Sequence, residues 1–154
     1  MGASHGHEAV EEARRTVAAA VHHGDAGRFD ELVALFCADA TFEIVGQVRH
    51  EGRAAIAAMF ARGGEHLAAA GPVPRIRHHL SSQLIEWDGP DRLRSSSYWV
   101  ALMDAGVDHW GRYVDHLVPE GGRWRFSLRR VLLDGAVPGG WGARGREWTA
   151  GEGG

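Results

Sequence analysis

The sequence contains few of the residues that would identify a partner directly. Its 154 residues include neither lysine nor asparagine, so all 17 basic residues are arginines. This bias is typical of a GC-rich, bacterial coding sequence. The formal net charge is only −3, so nothing in it indicates the basic surface on which nucleic-acid binding depends. We therefore expect no nucleic-acid partner.

Cysteine and long apolar runs are equally scarce. Cys37 is alone and cannot form an internal disulfide, which is typical of a protein in a reducing compartment. The first residues lack the basic start and apolar run of a signal peptide. No stretch approaches the ~18 apolar residues of a membrane span. We therefore expect a cytoplasmic protein without membrane contact.

The common catalytic and metal-binding motifs are missing as well. There is no G-x-S-x-G elbow, no P-loop and no dinucleotide fingerprint. The ten histidines include pairs at 22–23 and 78–79, but none has H-E-x-x-H spacing. Neighbours on a strand point to opposite faces, so a histidine pair seldom supplies two ligands to one ion. The sequence predicts no metal site.

The periodicity of apolar residues predicts a single α+β domain. Apolar residues recur at helical spacing over 7–23, after the break at 24–27, and over 53–69, with a short hairpin at 37–52. The period then changes to two. Candidate strands at 74–87, 92–103, 107–119 and 123–133 are joined by short turns rich in Gly and Asp. This order predicts helices covering one face of a curved antiparallel sheet.

The two ends of the chain fall outside this pattern. Residues 1–7 are expected to form an N-terminal tail, 8–134 the domain, and 135–154 a Gly-rich C-terminal tail. The C-terminal tail carries Trp141 and Trp148 without periodicity. It is either a disordered end or an arm whose tryptophans dock on a partner or cover a pocket.

Three polar positions stand out on the residues alone. Asp25 lies in the break between the first two helices, where an N-cap of the second helix is the simplest interpretation. Arg130 ends an apolar row on the last strand, and burying an unpaired charge is costly. Asp115 on the neighbouring strand is its expected partner. That pair could either serve a site or only brace the sheet.

Three stretches together resemble a known family. They are "HHGDAGRFDELVALFCADATFEI", "RIRHHLSSQLIE" and "GRYVDHLVPEGGRWRFSLRRVLLDG". Their order and spacing resemble SnoaL-like domains of the NTF2-like superfamily, over roughly residues 8 to 134. Members include scytalone dehydratase, limonene epoxide hydrolase, ketosteroid isomerase, polyketide cyclases and the small subunits of ring-hydroxylating dioxygenases. The resemblance implies an α+β cone in which a strongly bent antiparallel sheet wraps around helices and encloses a pocket.

The resemblance also implies an activity and a set of site residues. It implies a dehydratase, isomerase or cyclase that uses no cofactor and acts on a small hydrophobic ring compound of polyketide, steroid or terpenoid type. His79 rather than His78 matches the family's strand histidine, because Gln83 then falls where an amide side chain is expected. The implied catalytic residues are His79, Asp25, Asp115 and Arg130. The expected substrate-binding residues are Tyr98, Tyr113, Gln83, Trp110 and Phe60.

Two other functions stay open at this point. The chain could be a non-catalytic subunit or ligand-binding module resembling the dioxygenase small subunit, with the mixed polarity of strand 74–87 forming an interface. It could also be an epoxide hydrolase, which needs two aspartates flanking an arginine. The tyrosine that dehydratases often carry one turn before the first acid is absent between Ala20 and Gly24. We also expect a homodimer or homotrimer.

Overall fold

The computed structural model describes residues 2–69, 72 and 75–143, without the side chains of residues 2–5, 66 and 67. The helices are α1 (Gly2–Asp25), α2 (Phe29–Val33) and α3 (Arg53–Ala69). The strands are β1 (Phe36–Ile44), β2 (Val48–Glu51), β3 (Arg77–Trp87), β4 (Leu93–Met103), β5 (Gly106–Glu120) and β6 (Arg123–Ala136). Within the described helices, no segment has the length and hydropathy needed to cross a membrane.

The strands form one six-stranded sheet in the order β2-β1-β6-β5-β4-β3. Strands β3 to β6 are the predicted meander, and β1 pairs with β2 as the predicted hairpin. The α+β architecture, with helices packed against a curved and unclosed sheet, is confirmed. The sheet is not wholly antiparallel, however, because β1 runs parallel to β6.

Helix α1 covers the concave face of the sheet. Ala9, Ala13, Val17 and Ala20 are buried at three- and four-residue spacing, so one stripe of the helix faces the core. The helix contacts β3 and β6. It begins at Gly2, so residues 2–7 are part of the helix.

An aromatic cluster joins the other helices to the sheet. Phe36 packs against Phe126 with ring centroids 5.0 Å apart. Phe60 of α3 lies 5.7 Å from Phe29 of α2 and 5.4 Å from Phe42 of β1. Phe60 thus links α2, α3 and β1.

Single extra residues interrupt the strands at several β-bulges. In β3 the register with β4 shifts between Ser81 and Leu84, and Ser82 there adopts a left-handed φ of 49°. In β6 the register with β5 shifts at Ser127, and in β5 the register with β4 shifts at Asp108. An extra residue reverses which side chains face the core beyond it. These reversals decide the make-up of the candidate site.

Candidate active site

The first functional pair joins the end of α1 to the edge strand β3. One oxygen of Asp25, Oδ2, accepts the backbone N–H of His78 at 2.8 Å. The other, Oδ1, lies 2.6 Å from His78 Nδ1. The Asp25 side chain is 9% exposed and that of His78 21%. Asp25 is therefore not the N-cap of α2, a position that Arg28 occupies without a side-chain hydrogen bond.

The predicted contact between Asp25 and His79 is wrong, since the histidine that bonds Asp25 is His78. His79 is exposed on the convex face of the sheet. Simple alternation put His79 and Gln83 on one face, but the bulge at Ser82 moves Gln83 to the concave face. There Gln83 accepts a hydrogen bond from Arg14 at 2.9 Å and its amide nitrogen lies 3.4 Å from Ser95 Oγ.

A second histidine–aspartate pair, which sequence reasoning missed, lies beside the first. Nδ1 of His109 is 2.8 Å from Asp108 Oδ1, and the His109 and His78 ring centroids are 5.9 Å apart. The sequence signal was the dipeptide Asp108–His109. Strand neighbours normally point to opposite faces, and only the bulge at Asp108 lets both side chains lie together.

Burial sets the charge of His109. It lowers the pKa of this imidazole, and the nearby His78 adds to that effect, while Asp108 opposes it. The ring is therefore neutral at neutral pH. A neutral imidazole beside a carboxylate donates from the nitrogen that faces it. His109 thus carries its proton on Nδ1 and has a lone pair on Nε2.

Aromatic rings form the wall next to the two histidines. The Trp99 ring centroid lies 5.6 Å from that of His78, 5.3 Å from that of His109 and 5.5 Å from that of Tyr113. Burial raises the pKa of Tyr113 to about 12, although its side chain keeps some accessible surface. Tyr113 is therefore a partly exposed member of the aromatic wall.

Two buried polar atoms next to this wall lack a hydrogen-bond partner within the described part of the chain. They are Trp99 Nε1 and Ser97 Oγ, and both belong to side chains that point inward from β4. Buried polar atoms are normally paired, so such orphans need a reason. A ligand atom is one group that could satisfy them.

The inner arginine is Arg129 and not Arg130. Arg129 makes two hydrogen bonds to Asp115, at 2.9 and 3.0 Å, and both side chains are buried. Its guanidinium carbon lies 4.4 Å from the ring centroids of Tyr113 and Phe126. Burial raises the pKa of the Asp115 carboxyl, and the Arg129 charge opposes that shift. The pair braces the base of the aromatic wall.

The predicted pairing of Asp115 with Arg130 is accordingly wrong. The extra residue Ser127 reverses the faces of β6, so Phe126 and Arg129 point inward. Arg130 points to the convex face, where it pairs with Glu43 at 2.8 Å.

The expected substrate-binding residues are divided between the two faces. Tyr113 and Gln83 lie on the concave face, and Phe60 packs in the aromatic cluster above it. Tyr98 and Trp110 lie on the convex face with exposures of 56% and 39%. These two residues therefore cannot line the concave site.

A surface groove of about 920 Å³ lies elsewhere, between α1, the end of α2 and the start of β6. Charged side chains such as Glu8, Glu12, Arg15 and Arg123 line it, and neither histidine–aspartate pair does. We place the candidate site at the histidines because acid–base groups and apolar walls meet there. Over the described residues, no three His, Cys, Asp or Glu side chains are grouped closely enough to hold a metal ion.

Comparison with known structures identifies the fold. The chain is 23% identical to a variant of Rv3472 from Mycobacterium tuberculosis, a protein of unknown function, with a TM-score of 0.73 over 90% of this chain and 79% of that one. It is 20% identical to a candidate scytalone dehydratase from Novosphingobium aromaticivorans, with a TM-score of 0.70 over 82% and 85% of the two chains.

A further similar structure is the beta subunit of a candidate aromatic-ring-hydroxylating dioxygenase from Novosphingobium aromaticivorans. It shares 18% identity and a TM-score of 0.67 over 84% of this chain and 92% of that chain. No curated protein matches the chain. These similarities define an α+β protein of the NTF2-like, or cystatin-like, class. The model of the SnoaL-like domain matches residues 7–130, so the chain belongs to the SnoaL-like family.

Proposed function

We propose that this protein is a cofactor-independent acid–base enzyme acting on a small hydrophobic ring compound. The observation that carries the proposal is the meeting of two histidine–aspartate pairs, Asp25–His78 and Asp108–His109, with ring centroids 5.9 Å apart. Each carboxylate fixes one ring nitrogen, which leaves Nε2 of each histidine for proton transfer. Two such groups can serve as base and acid in one reaction.

The two histidines have different roles in this proposal. His109 is neutral, so its Nε2 can accept a proton from a carbon next to a carbonyl. His78, whose Nδ1 lies 2.6 Å from Asp25 Oδ1, is the proposed proton donor. His78 then protonates a departing hydroxyl. The C–H electron pair becomes the new C=C bond, the C–O bond breaks, and water leaves.

The walls of the site favour an oxygenated ring compound as the substrate. Trp99 and Tyr113, stacked on each other with ring centroids 5.5 Å apart, make the wall beside the histidines aromatic and apolar. The indole N–H of Trp99 and the hydroxyl of Ser97 are available to a substrate oxygen. The same groups could serve an isomerase or cyclase, since those reactions also begin with proton abstraction beside a carbonyl.

Turnover of two simple probes tests the proposal. Dehydration of 3-hydroxy-1-tetralone yields 1-naphthol and water, and isomerisation of a Δ5-3-ketosteroid yields the conjugated Δ4 enone; both changes are visible by ultraviolet absorbance. We expect turnover of at least one probe. His109→Gln should lower its kcat by roughly 10²–10⁴. His116→Gln, on the convex face, is the matched control and should retain activity.

The outcome against the proposal is equally specific. No turnover of either probe, together with co-purification of a larger catalytic partner, would favour a non-catalytic subunit. The epoxide-hydrolase alternative has less support. Its two aspartates should flank one arginine, whereas Arg129 forms ion pairs with Asp115 alone among the described carboxylates.

We also propose that a second copy of the chain covers the convex face. Leu84, Tyr98 and Trp110 are exposed there to 55%, 56% and 39%, and an exposed apolar patch is typical of an association surface. Light scattering should give the mass of a homodimer or homotrimer, and Trp110→Glu should weaken the association of the subunits. A monomer of 16.7 kDa at all concentrations would contradict this proposal.

A further inference from the structure

The carboxylate of Asp108 has more partners than His109 alone. Its Oδ1 accepts hydrogen bonds from His109 Nδ1 at 2.8 Å and from the backbone N–H of Gly142 at 2.7 Å. Its Oδ2 accepts the backbone N–H of Trp141 at 2.8 Å. The backbone carbonyl of Asp108 also accepts the N–H of Val137, at 2.8 Å. One bulge residue therefore bonds both the imidazole and residues 137–143, the C-terminal segment.

The C-terminal segment also packs directly on the imidazole. The Trp141 and His109 ring centroids are 5.7 Å apart. A Cβ atom added to Gly142 would lie 2.5 Å from His109 Cγ, and one added to Gly140 would lie 2.7 Å from Asp108 Oδ2. Real Cβ atoms do not approach so closely, so both positions require glycine. These contacts explain Gly140 and Gly142 in the sequence "PGGWG" at 138–142.

The charge on Asp108 fixes the direction of these hydrogen bonds. Burial acts to raise the pKa of this carboxyl, but the hydrogen bonds from Gly142, His109 and Trp141 outweigh it and lower the pKa. An ionised carboxylate can only accept. All three donors are satisfied together only while Asp108 is a carboxylate and His109 carries its proton on Nδ1.

We propose that Asp108 is a positioning residue that couples the C-terminal segment to the orientation and tautomer of His109. The Asp108 carboxylate has two effects. It places the C-terminal segment over the His109 ring, and it keeps Nε2 of His109 unprotonated. This inference rests on the proposed function only for its effect on turnover. The coupling itself can be measured in the ligand-free protein.

The substitution Asp108→Asn tests the coupling, because an amide has one accepting oxygen and one donating nitrogen. It cannot satisfy three donors. If its NH2 replaces Oδ1, it donates to His109 Nδ1 and Gly142 loses its acceptor; if it replaces Oδ2, Trp141 loses its acceptor. Nitrogen-15 NMR of labelled histidine should show Nδ1–H in the wild type. In the variant we expect either the Nε2–H tautomer with amide exchange at Gly142 at least tenfold faster, or the Nδ1–H tautomer with amide exchange at Trp141 at least tenfold faster.

Two controls separate this result from general damage. Asp104→Asn makes the same change at an exposed position in the turn between β4 and β5 and should alter neither signal. Gly142→Ala approaches from the other side, since its Cβ must displace the segment from His109. Gly142→Ala should change the His109 resonances although Asp108 is intact. This variant also tests the coupling if Asp108→Asn does not fold.

The overturning result is clear in each case. If Asp108→Asn keeps the Nδ1–H tautomer and the exchange rates of Trp141 and Gly142 stay within twofold of wild type, the coupling is refuted. The same holds if Gly142→Ala leaves the His109 resonances unchanged. A protein that shows the coupling but turns over neither probe would refute the proposed function and leave this inference standing.

Discussion

The concave and convex faces of the sheet carry the same residue types in adjacent positions and use them differently. His78 is held by Asp25 inside the cone, while His79 is exposed outside. Arg129 is buried against Asp115, while Arg130 is 42% exposed. Residue type alone therefore does not determine the role of a side chain in this sheet. A shift of one position moves a side chain from the hydrogen-bonded concave face to the exposed convex face.

Replacing His78 and His79 with alanine, one at a time, should give the largest difference in activity between the two faces. His78→Ala removes the partner of Asp25 and one of the two proposed proton carriers, so we expect kcat on the accepted probe to fall by roughly 10²–10⁴. His79→Ala should leave kcat within about twofold, since that side chain is exposed. Steady-state kinetics with circular dichroism as a folding control measures both. Equal losses would remove the distinction between the faces.

The two arginines should differ in stability. Arg129→Met leaves Asp115 as a buried carboxylate without its partner, which should cost about 3–5 kcal/mol of unfolding free energy. Arg130→Met removes an exposed pair with Glu43, and exposed pairs contribute about 1 kcal/mol or less.

Urea denaturation of the two variants and the wild type measures this difference. Asp115→Asn should destabilise the fold in the same direction as Arg129→Met. Similar midpoints for Arg129→Met and Arg130→Met would mean that the buried pair contributes no more than the surface pair.

Much of the fold follows from local patterns in the sequence. The helical spacing of Ala13, Val17 and Ala20 and the period-two strands with Gly-rich turns predicted both the helices and the meander. The break at 24–27 placed Asp25 at the junction of the first two helices, where α1 ends. Its hydrogen bonds to β3, however, are made to a residue 53 positions away, and no local pattern can specify such a contact.

The two wrong pairings in the candidate site, Asp25 with His79 and Asp115 with Arg130, share one physical cause. Alternation assigns faces only while a strand gains no residue relative to its neighbour. Ser82 adds one residue to β3, so His78, and not His79, shares a face with Gln83. Ser127 adds one residue to β6, so Arg129, and not Arg130, shares a face with Phe126. Serine gives no sequence signal for a bulge as strong as that of glycine. The pair Asp108–His109 escaped notice for the same reason, since Asp108 is itself a bulge residue.

The two tyrosines offer a comparison of the faces at high pH. Tyr98→Phe leaves Tyr113 as the only tyrosine, and burial raises the pKa of that residue to about 12. Its phenolate absorbance at 295 nm should therefore rise near pH 12. Because the folded protein keeps this proton while the unfolded chain loses it near the ordinary value of about 10, unfolding free energy should fall between those pH values.

The size and sign of that fall are testable. The loss should be roughly 1.4 kcal/mol per pH unit above 10, measured by urea denaturation of Tyr98→Phe. The double variant Tyr98→Phe/Tyr113→Phe is the control and should lack this contribution. A phenolate transition centred near 10 in the folded Tyr98→Phe protein would show that Tyr113 is not buried against the aromatic wall.

The smallest expected effect concerns the indole N–H of Trp99. Because this donor has no partner in the described part of the ligand-free protein, Trp99→Phe should lose packing but no internal hydrogen bond. If the N–H binds a substrate oxygen, kcat/KM should fall by about 5- to 15-fold, the equivalent of one hydrogen bond. Tyr98→Phe, the neighbouring change on the convex face, should leave kcat/KM unaltered. An unchanged kcat/KM in Trp99→Phe would show that the indole only forms part of the aromatic wall. The substrate oxygen would then be bound by the two histidines.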